Sequence, residues 1–237
     1  MSQFKMSKTK KILLCTCSKY QQIPQKSLLK LVAAAEKAGV DLVLTPDLCR
    51  IAAKQPEELR ESDADTVVAC YPRAVKALFD YAGADLPRVC DLRNNPIESV
   101  LKELELEDAG EADIDLPEVY GEWVSWFPTL DRERCVACGK CVDFCLFGVY
   151  KRDSKNKKIE VCAPQNCKTN CPACARMCPY TAIIFPKHED SPINGGEDDS
   201  KTPVKIDPKA MFDNNLYNKL AERRKKKRSV NLYKDKD

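Results

Sequence analysis

Apolar and polar residues form blocks along the first hundred positions, and these blocks predict strands that alternate with helices. Residues 11–17 are largely apolar, and a helical repeat of apolar positions over 28–35 follows them until Gly39. Further strands are predicted at 41–44, 66–70 and 88–90, and further helices at 56–61, 73–82 and 96–106. Because these strands lack the alternation of a half-exposed sheet, we expect an α/β domain at residues 1–106, with an open parallel sheet and helices on both faces.

The chain changes character after residue 106, and this change predicts a linker and a second domain. Residues 107–127 are acidic and contain proline, which is typical of a connector. Trp123, Trp126 and Phe127 interrupt it, and they either bury their rings against a flanking domain or anchor a partner. Residues 128–186 are predicted to form a small α+β domain with a hairpin from 149–150 to 159–161.

Residues 187–237 are predicted to form a polar linker followed by a basic helical tail. Residues 188–200 are rich in acidic residues, glycine and asparagine, which favours a flexible linker, and we do not expect its His188 to be a ligand. Residues 208–228 place apolar side chains on one helical face and end in the basic run 223–228. This run is interpreted as solvated charge or as a docking arm for an acidic partner; nucleic acid is disfavoured because no DNA-reading motif accompanies it.

The cysteine content changes the picture from fold to chemistry. The chain has 237 residues, 14 cysteines and a net charge of +3, so its size does not require disulfides to stabilise a core. The apolar run after the basic start is only three residues long, too short for a secretory signal, and no segment approaches the roughly 20 apolar residues of a membrane helix. We therefore expect a cytoplasmic protein without a membrane span, in which clustered cysteines bind metal or do redox chemistry.

Eight of the cysteines lie in two compact runs between residues 135 and 178. The first run is Cys135-x-x-Cys138-x-x-Cys141-x-x-x-Cys145, and the second is Cys167-x-x-x-Cys171-x-x-Cys174-x-x-x-Cys178-Pro179. Thiolate is a soft ligand, and this dense spacing with a Cys-Pro ending is typical of iron–sulfur ligation. Four-cysteine zinc sites are the competing interpretation, but zinc ribbons pair two knuckles across a longer gap.

Residues 128–186 resemble the bacterial two-cluster 4Fe-4S ferredoxins. The resemblance implies that cluster 1 is bound by Cys135, Cys138, Cys141 and Cys178, and cluster 2 by Cys167, Cys171, Cys174 and Cys145. The chain departs from the pattern in Leu146, where proline is usual after Cys145, and in the third residue between Cys167 and Cys171. Cys162, near the hairpin, is the alternative to Cys167 as a ligand.

The remaining cysteines fall near the C-terminal ends of the predicted strands, where open parallel sheets place their ligand crevice. The segments 15–18, 47–49, 67–73 and 89–94 are similar to the N-terminal domain of the heterodisulfide reductase A subunit family. That resemblance implies a third 4Fe-4S cluster on Cys17, Cys49, Cys70 and Cys90. Cys15 is the alternative to Cys17, since residues two apart on a strand share a face.

Together these patterns predict an electron carrier or oxidoreductase subunit rather than a stand-alone enzyme. We expect two 4Fe-4S clusters and a third one in the N-terminal domain, with neither a flavin nor a nicotinamide motif. The two resemblances imply a heterodisulfide-reductase-like or flavin-containing redox partner. Two alternatives stay open: an N-terminal thiol or disulfide catalytic site that the ferredoxin domain supplies with electrons, and a zinc protein that binds nucleic acid.

Overall fold

A computed structural model describes residues 10–119 and 121–197. Four parallel strands form the first sheet in the order β2-β1-β3-β4: β1 (Lys11–Cys15), β2 (Asp41–Thr45), β3 (Thr66–Ala69) and β4 (Arg88–Asp91). The helices between and after them are α1 (Gln25–Ala38), α2 (Leu48–Lys54), α3 (Pro56–Arg60), α4 (Pro72–Ala82) and α5 (Ile97–Leu104). The predicted α/β class and its parallel sheet are confirmed, because the central strands β1 and β3 are almost entirely buried, as parallel strands are.

Alternate residues of the strands face two separate hydrophobic layers. Ile12, Leu14, Val68 and Cys90 face the layer formed with α1 and α5. Leu13, Cys15, Val67 and Ala69 face the other layer, formed with α2, α3 and α4. Which layer a strand residue reaches therefore depends on its parity in the strand.

Helix α2 was missed by the sequence analysis, which leaves 47–49 as a loop. It begins directly after Asp47, whose Oδ1 accepts a hydrogen bond from Arg50 N at 3.2 Å. This is an N-cap, and it places Cys49 in the first turn of a helix. By contrast, α1 and α4 end at Gly39 and Gly83 as predicted, with both glycines in the left-handed conformation.

The second part of the molecule is built around two short antiparallel pairs. These are β5 (Thr129–Leu130) with β8 (Ile183–Ile184), and β6 (Tyr150–Asp153) with β7 (Lys158–Val161). Two five-residue helices, α6 (Lys140–Phe144) and α7 (Ala173–Met177), contain Cys141 and Cys174 respectively. The hairpin predicted at 149–161 is confirmed.

The two parts share one hydrophobic core. Val75 and Phe79 of α4 belong to the same buried cluster as Leu130, Ile159 and Phe185 of the second part. The aromatic residues of the predicted linker join this core: Trp126 and Phe127 are buried, and the Trp126 and Phe185 rings are stacked with centroids 5.3 Å apart. These rings therefore dock the connector, as the first of the two interpretations expects.

Residues 185–197 fold back onto the C-terminal edge of the parallel sheet, so the prediction of a flexible linker at 188–200 is wrong for residues 188–197. Ile193 and Asn194 are buried, and Phe185 N donates to Ile193 O at 2.7 Å. Arg93, in the loop after β4, donates to Pro186 O and His188 O, both at 2.7 Å. Phe185 and Ile193 join the hydrophobic core, but the rest of the segment is mostly polar, so its composition did not reveal this packing. The remaining predicted tail lies outside the described residues. In the described ranges, no helix is both long and apolar enough to cross a bilayer.

Candidate metal centres

The first cysteine run curls around a shallow cavity. Ala137 and Gly139 have positive φ angles of 54° and 83°, so the backbone turns repeatedly between Cys135 and the start of α6. Arg152 lies against Gly139, where an added Cβ would come within 1.5 Å of its Nη2. The cavity is lined by four thiols, three from this loop and one from the far end of the second run: Cys135, Cys138, Cys141 and Cys178.

The thiols around this cavity interact electrostatically. Burial raises the pKa of Cys141 to about 11, and the neighbouring Cys135 and Cys178 contribute to the rise. Ala182 N donates to Cys178 Sγ at 3.4 Å. A group of four neighbouring thiols is a donor set that a metal cluster deprotonates on binding.

The second run brings Cys167 together with the last cysteine of the first run. Burial raises the pKa of Cys167 to about 12, and Cys171 and Cys145 raise it further. Burial likewise raises the pKa of Cys174 to about 12, with smaller contributions from Cys167 and Cys145. The four thiols of the predicted second cluster are thus neighbours.

The extra residue between Cys167 and Cys171 is absorbed by a turn. Cys171 N donates to Lys168 O at 3.1 Å, and Asn170 adopts a positive φ of 60°. Cys162 is exposed just after β7, and its Sγ lies 3.6 Å from Val149 O. None of the contacts described for Cys162 joins it to the four thiols of the predicted second cluster, Cys145, Cys167, Cys171 and Cys174.

The two runs end in the same way. Cys145 follows α6 with φ −77° and ψ 109°, and Cys178 follows α7 with φ −75° and ψ 112°. Leu146 follows the first and Pro179 the second, so leucine supports the turn that proline usually fixes. Leu146, which stands where proline is usual, is 93% exposed.

Tyr150 of β6 reaches into the second thiol group, a contact that the sequence analysis missed. Its hydroxyl lies 3.0 Å from Cys174 Sγ, within hydrogen-bond distance, and the residue is buried. Burial and the proximity of Cys174 raise the pKa of Tyr150 well above its usual value. The tyrosine therefore stays protonated and can donate to a thiolate at this position.

A third group of thiols lies at the C-terminal edge of the parallel sheet. Cys15 ends β1, Cys17 follows it with a positive φ of 49°, Cys49 lies in the first turn of α2, and Cys70 follows β3. Burial raises the pKa of Cys70 to about 12, and Cys17 raises it further. Burial also raises the pKa of Cys15, as do Cys17 and Cys70, although Leu48 N donates to its Sγ at 3.4 Å. We call Cys15, Cys17, Cys49 and Cys70 the crevice thiols.

Cys90 does not join the crevice thiols, which corrects the ligand set expected from the sequence. It pairs with Val68 in the sheet and faces the α1 and α5 layer, where its Sγ lies 3.3 Å from Glu103 Oε1. Cys15 faces the opposite layer. Strand residues one position apart face opposite sides of a sheet, so the Cys90 side chain faces away from the crevice. Cys15 lies with Cys17 in the crevice instead.

A buried ion pair lies beside the crevice thiols. Lys187 Nζ binds Asp47 Oδ2, and both side chains are 3% exposed. Ser125 Oγ also donates to Asp47 Oδ2. No pattern in the sequence marks this pair, because Lys187 lies 140 residues after Asp47 in a segment with the composition of a linker.

The thiol groups do not form a site for a single metal ion in the part of the chain that the structure describes. Within residues 10–119 and 121–197, no three cysteine, histidine, aspartate or glutamate side chains converge on a site for a single metal ion. A 4Fe-4S cluster takes its four cysteines at separate irons. The thiols around the first cavity and those beside Cys167 supply two such sets of four.

A cavity of about 580 Å³ has no cysteine in its lining. It lies between the start of α1 and the acidic segment, lined on one side by Thr16, Ser18 and Gln21 and on the other by Asp115 and Glu118. It therefore belongs to neither cysteine run nor to the crevice thiols.

Comparison with known proteins finds a family match in the second part of the chain. The 4Fe-4S binding domain family matches residues 128–148. An uncharacterized ferredoxin of Methanocaldococcus jannaschii is 48% identical over 64 residues, which are 27% of this chain and 42% of that protein, so less than half of that relative is covered. A second uncharacterized ferredoxin of the same organism is 35% identical over 75 residues, covering 27% of this chain and 90% of that protein. The pyruvate synthase subunit PorD of that organism is 37% identical over 70 residues, or 29% of this chain and 77% of the subunit.

Proposed function

Since this chain belongs to the 4Fe-4S ferredoxin family and is a ferredoxin-like iron–sulfur electron carrier, we propose that it relays single electrons through three 4Fe-4S clusters to a redox partner. When bound, each cluster takes up and releases one electron. Cluster 1 is assigned to Cys135, Cys138, Cys141 and Cys178, and cluster 2 to Cys145, Cys167, Cys171 and Cys174. The third is assigned to the crevice thiols.

One observation carries the proposal: a single cavity is lined by three thiols of the first run and by the last thiol of the second. This is the exchange of final ligands that ties the two halves of a two-cluster ferredoxin together. Support for the third cluster is the meeting of Cys15, Cys17, Cys49 and Cys70 at the sheet edge, where open α/β sheets bind ligands.

The partner proposed is a multi-subunit oxidoreductase. PorD is named as a subunit of pyruvate synthase, and the resemblance of the N-terminal segments points to heterodisulfide-reductase-like or flavin-containing complexes. This chain would then serve as the electron-carrying subunit of such an assembly.

Metal analysis of protein purified without oxygen tests the proposal. Three clusters require about twelve irons and twelve sulfides per chain, and two clusters require about eight of each, at four per cluster. Cys70→Ser is expected to lose about four irons, whereas Cys90→Ser, its matched control in the same sheet, is expected to keep all of them. A colourless protein with zinc alone would contradict electron transfer.

A second candidate function places a thiol or disulfide catalytic site at the crevice. It is favoured by the same meeting of Cys15, Cys17, Cys49 and Cys70 beside the buried Lys187. It predicts about eight irons in the wild type together with four thiols that alkylate only after reduction or partial unfolding. The iron count therefore separates the two functions.

A further inference from the structure

Lys187 brings a buried positive charge to the crevice thiols. Its side chain is 3% exposed, it binds the Asp47 carboxylate, and its Nζ lies 5.1 Å from the centre of the Tyr20 ring. The backbone on either side of Lys187 is fixed by Arg93, which donates to Pro186 O and His188 O. The ammonium is thus held in one place from two directions.

The thiols and this ammonium act on one another. Burial alone would lower the pKa of Lys187, but Cys49, Asp47 and Cys17 raise it overall. At Cys49, burial raises the pKa, while Lys187 lowers it and Asp47 raises it, so both ends of the ion pair act on that sulfur. At Cys15, Asp47 raises the pKa, so the two ends of the ion pair act on the crevice thiols in opposite senses.

Asp47 holds the arrangement through both carboxylate oxygens. Oδ1 accepts from Arg50 N and so caps α2, while Oδ2 accepts from Ser125 and Lys187. Because α2 carries Cys49 in its first turn, the carboxylate links the position of the cation to the position of a thiol. Charge and ligand geometry are therefore connected through one residue.

We propose that Lys187 is a positioning residue whose fixed charge raises the reduction potential of a cluster bound by the crevice thiols. This inference rests on the third cluster of the proposed function. Reduction would add one negative charge to a cluster held by these thiols, and a fixed cation in a low-dielectric interior would stabilise that charge. Asp47 opposes the effect, since its carboxylate disfavours the added charge.

Four proteins test the charge assignment: wild type, Lys187→Met, Asp47→Asn, and the double variant. We expect Asp47→Asn to have the highest potential at the crevice, wild type and the double variant intermediate potentials, and Lys187→Met the lowest. Each single change should alter the equilibrium constant for reduction about tenfold, which is about 59 mV for a one-electron couple. Potentials are read by EPR-monitored redox titration, with the Cys70→Ser protein identifying which signal comes from the crevice.

Iron content and the thermal unfolding of the cluster-free proteins are measured alongside. Lys187→Met leaves a buried carboxylate without its partner, whereas the double variant does not, and Lys187→Arg should keep the wild-type potential. If Lys187→Met does not fold, the order of Asp47→Asn, wild type and double variant still decides. If all three clusters are present and the potential of the crevice cluster is the same in every variant, this inference alone is overturned. A wild type with about eight irons, at four per cluster, would overturn the third cluster and this inference with it.

Discussion

The two cysteine runs and the crevice thiols gather sulfur ligands by different routes. In the runs, thiols three or four residues apart are brought together by left-handed turns at Ala137 and Asn170 and by the short helices α6 and α7. At the crevice, four thiols arrive from the ends of β1 and β3 and from the first turn of α2. The first arrangement depends on local backbone geometry, while the second depends on the register and layers of a folded sheet. The crevice therefore depends directly on the sheet, whereas the runs depend on it only through the shared core.

The largest expected effect is the loss of an entire cluster from the second run. Cys167→Ser should lose about four irons per chain, because its thiol neighbours Cys171 and Cys145. Cys162→Ser is the matched control, and we expect it to keep all iron because Cys162 is exposed beside Val149 O. Iron and sulfide analysis of both proteins, purified without oxygen, makes the comparison; the opposite pattern would identify Cys162 as the ligand.

Removal of Cys15 should affect only the crevice. Cys15→Ser is expected to lose about four irons while the EPR signals of the two clusters assigned to the cysteine runs stay unchanged. The residue is buried and faces Cys17 and Cys70. Full iron content in Cys15→Ser would remove it from the ligand set and show that the crevice group needs another fourth member.

Truncation of the shared core should destabilise both regions together. Phe127 is 2% exposed, and its ring centre lies 5.5 Å from that of Tyr81. Phe127→Ala should lower the free energy of unfolding by about 3–5 kcal/mol, in a single calorimetric transition. Phe147, which is 44% exposed, supplies the control: Phe147→Ala should change stability by about 0.5 kcal/mol or less. Two separate transitions would contradict the shared core.

A change at Gly139 should disturb only the first run. Gly139→Ala places a side chain at a φ of 83° and against the Arg152 guanidinium, and the conformational strain alone costs about 1–2 kcal/mol. Gly148→Ala has comparable strain at φ 64° but meets nothing within 4 Å. Chemical denaturation should show a smaller loss for Gly148→Ala, and equal losses would mean that Arg152 simply moves aside.

The smallest expected effect is on the potential of the cluster assigned to the second run. Tyr150→Phe removes the hydroxyl beside Cys174 Sγ, and one hydrogen bond is worth about 0.5–1.5 kcal/mol. Because this bond favours the more negative, reduced state, the variant should be harder to reduce, with the change in equilibrium constant near or below about tenfold. EPR-monitored titration measures it, and a potential equal to or above that of the wild type would show that the hydroxyl does not donate to this sulfur.

The sequence predicted what depends on local pattern and missed what depends on distant pairing. Blocks of apolar residues were enough for the parallel sheet, and cysteine spacing was enough for the ferredoxin part. The face of Cys90 could not be predicted, because one residue of register decides which layer a strand side chain reaches.

Long-range polar contacts were missed for a related reason. Lys187 meets Asp47 across 140 residues, and Tyr150 meets Cys174 across 24, without any repeat or motif that marks either pair. The segment 188–197 was misread because polar composition indicates exposure, whereas here hydrogen bonds such as Phe185 N to Ile193 O hold it in place.

The return of residues 185–197 to the sheet edge also sets an order of assembly. Three of the elements that surround the crevice are synthesised by residue 70, but the cation that neutralises Asp47 is added only at residue 187, after every cysteine of both runs. A nascent chain therefore contains all eight cysteines of the runs before its crevice is electrostatically complete. The thiols nearest the N-terminus are therefore the ones whose charged neighbour is synthesised only after both cysteine runs.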